Sequence, residues 1–463
     1  MEKRWGLIAS RLRVGYSNER PVKSIARSNL GAMRKLQLHS IMIESSTGTV
    51  VPQHGNQRDE RTQRTVLIAD TTLRDGEQMA GCYLRIDDKV AIGRLLVDAG
   101  VRSIEAGFPG AGPHQFEATR EIARGVGGAV ISALSRTHER DIEAAAKALS
   151  DVPAYRRAIG LFISTSPVAL TQKLRFDEAQ LMRLIDDAVR TAKACGFRNI
   201  TFSAEDASRT EPDTLRRAYA AAIGAGATAL GYADTVGIDT PESVQARIDA
   251  IRNGDSGLEG ALLGVHFHND LGLATTNSLA AVKADAQVVQ CTIGNIDERA
   301  GNASLEEVAL CLALHPQVYG ARSSIRLERL RELNERLSQA SGLATPTFKP
   351  VVGRDIFVTA AGIHQDGLAK DPDTYFPYPP ALLGVHGFEF QLNHHSGKGA
   401  LRFAFDRAGI ACQESDIDAA LVLLKQEPGL GVRANVRNAN ELLDRARRRT
   451  DRRPESFVHE EQG

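Results

Sequence analysis

Three observations predict a TIM (β/α)8 barrel followed by small, mostly helical C-terminal subdomains. Eight short apolar runs of strand character succeed one another between Val66 and Ile293. Longer amphipathic stretches separate them, the alternation expected of a parallel sheet covered by crossover helices. Polar residues gather at the C-terminal ends of the runs, where barrels of this kind carry their active sites. An open doubly wound sheet is the competing architecture, but no G-x-G-x-x-G follows the first run to support it.

The runs, in order, are VLIADTTL from Val66, SIEAGFP from Ser103, AVISALS from Ala129, AIGLFIST from Ala158, NITFSAED from Asn199, ATALGYADT from Ala227, LLGVHFHND from Leu262 and VVQCTI from Val288. Between them, stretches such as DDKVAIGRLLVDAG and FDEAQLMRLIDDAVRTAKACG place apolar residues at i, i+3, i+4 and i+7. They open on Asp and close on Gly, as capped helices do. After about Gly320 the alternation stops. SSIRLERLRELNERLSQASG is helical by its leucine spacing, and a Pro- and Gly-rich stretch follows over residues 346–399. A helical pair at 415–425 and 438–448 precedes a charged tail expected to be mobile. The expected organisation is an N-terminal extension over 1–64, a catalytic barrel over 65–325, a linking subdomain over 326–405 and a helical subdomain with its tail over 406–463.

Composition narrows the function. Basic and acidic residues balance at a net charge of zero, so no global field draws nucleic acid. No apolar run reaches the roughly 18 residues of a membrane helix. Small molecules or another protein chain are the expected partners. Cys82, Cys195, Cys291, Cys311 and Cys412 are scattered without a CxxC pair, which argues against a disulfide framework or a zinc knuckle and for a reducing compartment. A cytoplasmic location is expected. Up to Leu38, however, the extension is basic, Ser-rich and poor in acid, as organellar transit peptides are. A disordered tail, or a true start at Met42, reads the same residues differently.

The polar strand ends form the candidate site. The first run ends in Thr72, Arg74 and Asp75, and the fourth in Ser164 and Thr165. The fifth ends in Ser203, Glu205 and Asp206, the sixth in Asp234 and Thr235, and the seventh in His266, His268, Asn269 and Asp270. His266 and His268 stand at i and i+2 on one strand, so both imidazoles project to the same face. With Asp75 they would make a two-histidine, one-carboxylate site for Zn, Mn or Mg. Arg74 beside that acid would stabilise a developing oxyanion. Gly76 is expected to let the chain turn away, while Glu77 and Gln78 would orient their neighbours. Glu205 reads either as a general acid/base or as a partner for a histidine. GNIDERAGNASLEEV sets a glycine turn and Asn302 ahead of a helix starting near Ser304, a place where backbone approaches anions closely.

Seven segments then fall into a pattern: DTTLRDGEQMAG, FSAEDASRTE, DTVG, HFHNDLGLATTNSLAAV, ERAGNASLEEV, GIHQDGLAKDPDTY and HHSGKGAL, in this order between about Val66 and Phe403. Together they resemble the 2-isopropylmalate synthase and homocitrate synthase family, which is also similar to the HMG-CoA lyases. The resemblance implies a barrel that binds a divalent metal cation, condenses acetyl-CoA with a 2-oxo acid and hydrolyses the thioester. It implies Asp75, His266 and His268 as metal ligands, with Asn302 as a fourth or near ligand. Arg74 would lie over the substrate carbonyl, and Ser203 and Thr235 would bind substrate. Glu205 would pair with His364, the expected base, and Tyr375 matches a tyrosine of the flexible linking subdomain that covers the active site. His364 lies beyond the barrel, so it must fold back over the mouth or arrive from another subunit. In the family it comes from the partner, which implies a homodimer with shared active sites.

The chain also departs from the pattern. Gly160-Leu161 stand where 2-isopropylmalate synthases usually carry His-Thr, Ala169 where they have a histidine, and Asp297 where a glycine is usual. The first two losses fall beside the oxo-acid pocket, which leaves 2-oxoisovalerate, 2-oxoglutarate, pyruvate and phosphonopyruvate open as substrates and homocitrate, citramalate or 2-phosphonomethylmalate synthesis as alternatives. The chain stops about where a leucine-sensing domain would begin, so feedback by leucine is not expected. A lyase cleaving the reverse type of bond, and a non-catalytic barrel, are the remaining readings. The lyases carry a cysteine in the loop after the eighth strand, where this chain has Asp297, Glu298 and Arg299.

Overall fold

The structure, a computed structural model, describes residues 64–252, 258 and 261–451. The readings of the N-terminal extension up to residue 63 and of the tail from 452 lie outside the described residues.

Each apolar run contains a strand: β1 (Leu67–Asp70), β2 (Ser103–Gly107), β3 (Val130–Arg136), β4 (Arg157–Ser164), β5 (Asn199–Glu205), β6 (Ala229–Asp234), β7 (Leu262–Phe267) and β8 (Val288–Cys291). All eight pair in parallel with their sequence neighbours, and β1 pairs with β8 to close the barrel. The crossovers are α1 (Ile86–Asp98), α2 (Pro113–Gly125), α3 (Glu139–Ala148), α4 (Glu178–Ala194), α5 (Pro212–Ala225), α6 (Pro241–Arg252) and α7 (Ala274–Lys283), and α8 (Leu305–Leu314) follows β8. Their starts obey local rules. Asp177 caps α4 by accepting from Gln180 N while Gln180 Oε1 accepts from Asp177 N, and Pro occupies the first turn of α2 and α5.

Alternation along the strands sorts the side chains. Ile131, Phe202, Leu263 and Val289 are buried in the apolar core. Ala69, Ser103, Ser132, Ala158, Thr201 and Gly264 instead line the interior. Branched bulky residues usually fill such a barrel in layers. The small ones here leave a cavity of about 330 Å³ running down from the mouth. Below the barrel, Arg64–Thr65 pairs in parallel with Ala321–Arg322.

Beyond the barrel, α9 (Leu330–Ser341) buries Leu330, Leu333 and Leu337 and ties back to α1 through an Arg336–Asp88 ion pair of 2.5 Å. Val351, Val352, Phe357 and Leu383 still belong to the barrel's core. A second core gathers Leu368, Phe390, Phe405, Ile417, Leu424 and Leu443. It is built from α10 (Gly362–Lys370), α11 (Lys398–Arg407), α12 (Glu414–Gln426) and α13 (Val436–Asp451), with a small sheet of β9 (Val358–Thr359), β10 (Glu389–Leu392) and β11 (Val432–Arg433). Among the described residues, no helix is long and apolar enough to cross a membrane.

Candidate active site

The first run extends past its strand because the chain curls immediately after it. The Thr71 carbonyl accepts from the N–H groups of Arg74, Asp75 and Gly76. Asp70 pins this curl from beneath, accepting from Thr72 N and Thr72 Oγ1 at 2.9 Å each, and Thr72 Oγ1 in turn accepts from Ile293 N at 2.9 Å. Burial pushes the Asp70 carboxyl up to about 7. The curl delivers Arg74 and Asp75 to the barrel mouth. Gly76 serves by its size and not, as expected, by turning the chain: it lies in ordinary right-handed backbone, and a Cβ there would press on Ile296 at 3.0 Å. Glu77 accepts from Lys89 Nζ at 2.5 Å and Gln115 Nε2 at 3.1 Å, which anchors the loop to α1 and α2.

Asp75, His266 and His268 meet at that mouth, each offering a donor atom within 4.8 Å of the others. His266 Nε2 lies 3.1 Å from His268 Nε2 and 3.5 Å from Asp75 Oδ2. Burial, followed by the neighbouring His268, lowers His266 to about 3, so this imidazole is neutral with a lone pair to give at neutral pH. Burial opposes the charge on Asp75, but the Arg74 guanidinium beside it outweighs this and holds the carboxyl below its usual range. Asn302, facing His268 across an isolated β-bridge, donates from Nδ2 to Asp75 Oδ2 at 3.2 Å. Its Oδ1 is buried without a partner. A half-turn of the amide aims that oxygen at the cluster. A neutral imidazole, an ionised carboxylate and an unanswered amide oxygen are a donor set that fits a divalent cation.

Arg74 bridges Asp75 and Glu105, with Nε donating to Glu105 and a terminal nitrogen to Asp75. Burial works against its charge, yet the two carboxylates overcome this and hold the guanidinium more firmly protonated than usual. Burial raises Glu105, with Arg74 opposing. Glu105 went unrecognised in the sequence, although a lone acid inside the apolar run SIEAGFP was its signal.

Ser203 and Thr235 line the same cavity, with Glu205, Phe108, Leu134 and Phe162. Gly231 makes room for Ser203, since a Cβ there would meet Ser203 Oγ at 2.2 Å. Thr235 Oγ1 accepts from Asp206 N at 2.9 Å, which leaves its own proton to donate. Gly160 also faces the cavity, and a Cβ there would meet nothing nearer than Leu134 at 3.8 Å. Arg299 forks onto Asp270 at 2.8 and 2.9 Å and donates to the Thr235 carbonyl at 2.8 Å, closing the rim.

Two expected site residues lie elsewhere. His364, on α10, is exposed and stacks on Tyr375 with ring centres 3.9 Å apart. Neither lines the barrel cavity. Glu205 instead pairs with Lys173 at 2.8 Å.

A closed parallel barrel with an Asp-His-His cluster at the C-terminal ends of its strands defines a TIM-barrel protein with a candidate metal centre. The HMGL-like family matches residues 65–337, and the homocitrate synthase post-HMGL domain-like family matches residues 351–428. A 2-isopropylmalate synthase of Heliobacterium modesticaldum is 41% identical over 362 residues, 78% of this chain and 70% of that one. One of Pyrococcus furiosus is 38% identical over 400 residues, 86% and 77% respectively. The chain belongs to the HMGL-like family. The barrel itself is similar to that of the HMG-CoA lyase from Brucella melitensis, with TM-score 0.51 and 22% identity over 60% of this chain and all of that one. The hydroxymethylglutaryl-CoA lyase of Pseudomonas aeruginosa gives TM-score 0.52 and 17% identity over 61% and 95%.

Proposed function

We propose that this chain is an acyltransferase of the 2-isopropylmalate synthase type, which condenses acetyl-CoA with a 2-oxo acid and hydrolyses the resulting thioester. The observation that carries the reading is the Asp75-His266-His268 cluster with Arg74 beside it in one cavity. Asp75, His266, His268 and Asn302 would hold a divalent cation, Mg, Mn or Zn. When bound, such a cation supplies Lewis acidity to a chelated oxo acid, worth several kcal/mol as charge develops. Arg74 faces the keto oxygen and stabilises its growing negative charge from a position fixed by two carboxylates. Thr235 donates to the substrate carboxylate, and Ser203 presents a second hydroxyl.

His364 removes a methyl proton from the thioester, oriented by Glu205. The carbanion adds to the keto carbon to form the new C–C bond, and the oxygen takes up a proton. Water then cleaves the thioester and releases free CoA. Within one chain His364 is exposed and outside the cavity, so it and Tyr375 act on the barrel of a second copy. Ile363 at 86% exposure and Tyr375 at 47% give that segment an apolar face suited to such a contact. The catalytic assembly is therefore a homodimer in which the barrel, residues 65–325, is covered by the partner's linking segment, residues 326–405.

Release of thiol from acetyl-CoA, measured with a divalent cation and a panel of 2-oxo acids, tests the reading. At least one acid stimulates release above the acid-free rate. If none does, the synthase assignment fails.

A further inference from the structure

Asp297 sits in the loop between β8 and α8, behind the metal-ligand cluster and outside it. Its side chain is completely buried. Neither carboxylate oxygen has a well-aligned hydrogen bond. Oδ2 lies 2.9 Å from Nδ1 of His268, at hydrogen-bond distance but off the line of the bond. Nδ1 is the ring nitrogen opposite Nε2, which faces His266. A buried carboxylate without a partner costs several kcal/mol, and His268 is the side chain set to answer this one.

We propose that Asp297 is a positioning residue for His268. By accepting from Nδ1–H it selects the tautomer whose lone pair is on Nε2, and it fixes the ring plane toward Asp75 and His266. A carboxylate behind a ligating histidine raises the ligand's basicity and typically strengthens metal binding 10- to 100-fold. Asp297 stands where the resemblance leads one to expect glycine, so this chain carries a support that the general pattern lacks. The inference rests on the metal centre proposed above.

Titration of the metal-free full chain with Mn2+ by calorimetry, without substrate, tests it. Asp297→Gly should raise the dissociation constant by about 10- to 100-fold. Asp297→Asn, the same shape with a neutral acceptor, should fall between that variant and the parent. Binding by Asp297→Gly within about twofold of the parent would overturn the positioning role. So would an Asn variant as weak as the Gly variant, because the retained acceptor should rescue part of the loss. Should Asp297→Gly fail to fold, seen as loss of a cooperative thermal transition, the shape-conserving Asn variant decides: weakened binding supports the role and parental binding overturns it. A parent that binds no Mn2+ would overturn the metal centre itself, an outcome distinct from a parent that binds and a Gly variant that binds equally well.

Discussion

The barrel mouth and the segment around His364 solve opposite problems. At the mouth, Asp75, Glu105, Asp297 and His268 are buried beside the largely covered Arg74 and His266, and Arg74 answers Asp75 and Glu105 while Asp297 faces His268. Around His364, an imidazole and a phenol stack on each other at the surface, with a large aliphatic side chain beside them facing solvent. The first region is complete and tightly constrained. The second displays an imidazole and a phenol that stack on each other outside the barrel cavity of their own chain. Buried charge needs local compensation and therefore builds its site from one polypeptide, whereas exposed groups can be lent to another copy.

The contrast can be broken at the mouth most severely. His266→Ala should abolish stable metal binding and lower the condensation rate about a thousandfold, read from retained metal after dialysis and from thiol release. His364→Ala should cost roughly a hundredfold or more in rate yet leave Mn2+ affinity at the parental value, since the base lies outside the ligand set. Lys89→Met leaves Glu77 half-answered under the mouth and should destabilise the chain by about 3 kcal/mol, seen as a lower midpoint in denaturant.

Smaller effects separate the two regions further. Gly160→His places a ring and a donor in the open part of the cavity beside Glu105. It should change the ratio of kcat/KM between competing 2-oxo acids by about tenfold while metal binding is unchanged. Lys370→Met removes an exposed ion pair with Asp366 on α10 and should move stability by less than about 0.5 kcal/mol. Lys89 and Lys370 each face one carboxylate, and their unequal cost measures how differently the two regions bury charge.

Much of this was legible in the sequence because strand periodicity is a geometric constraint. Each of the eight apolar runs contains a barrel strand, and alternation put His266 and His268 on one face, at the end of the barrel that also holds Asp75. Asn302 was visible ahead of a helix only as a place where backbone approaches anions, and its ligand role came from the family resemblance. Glu105 was missed because an acid in an apolar run carries no label until the opposing Arg74 is in space. Asp297 was visible as a departure from a pattern, but its contact with His268 depends on how the loop folds. Gly76 was misread because a glycine needed for room and one needed for backbone freedom look the same in one dimension. The place of His364 was the least legible: its position beyond the barrel did not say where the ring would lie, and in the structure it is exposed and stacked on Tyr375.

In the proposed dimer the two regions work together across copies. Co-expression of His266→Ala and His364→Ala chains with different affinity tags, followed by purification on both, isolates dimers with one copy of each. Such a dimer has one site with an intact barrel and an intact lent histidine, and its thiol release should recover about half the parental rate. Activity no higher than that of either single variant would contradict the account.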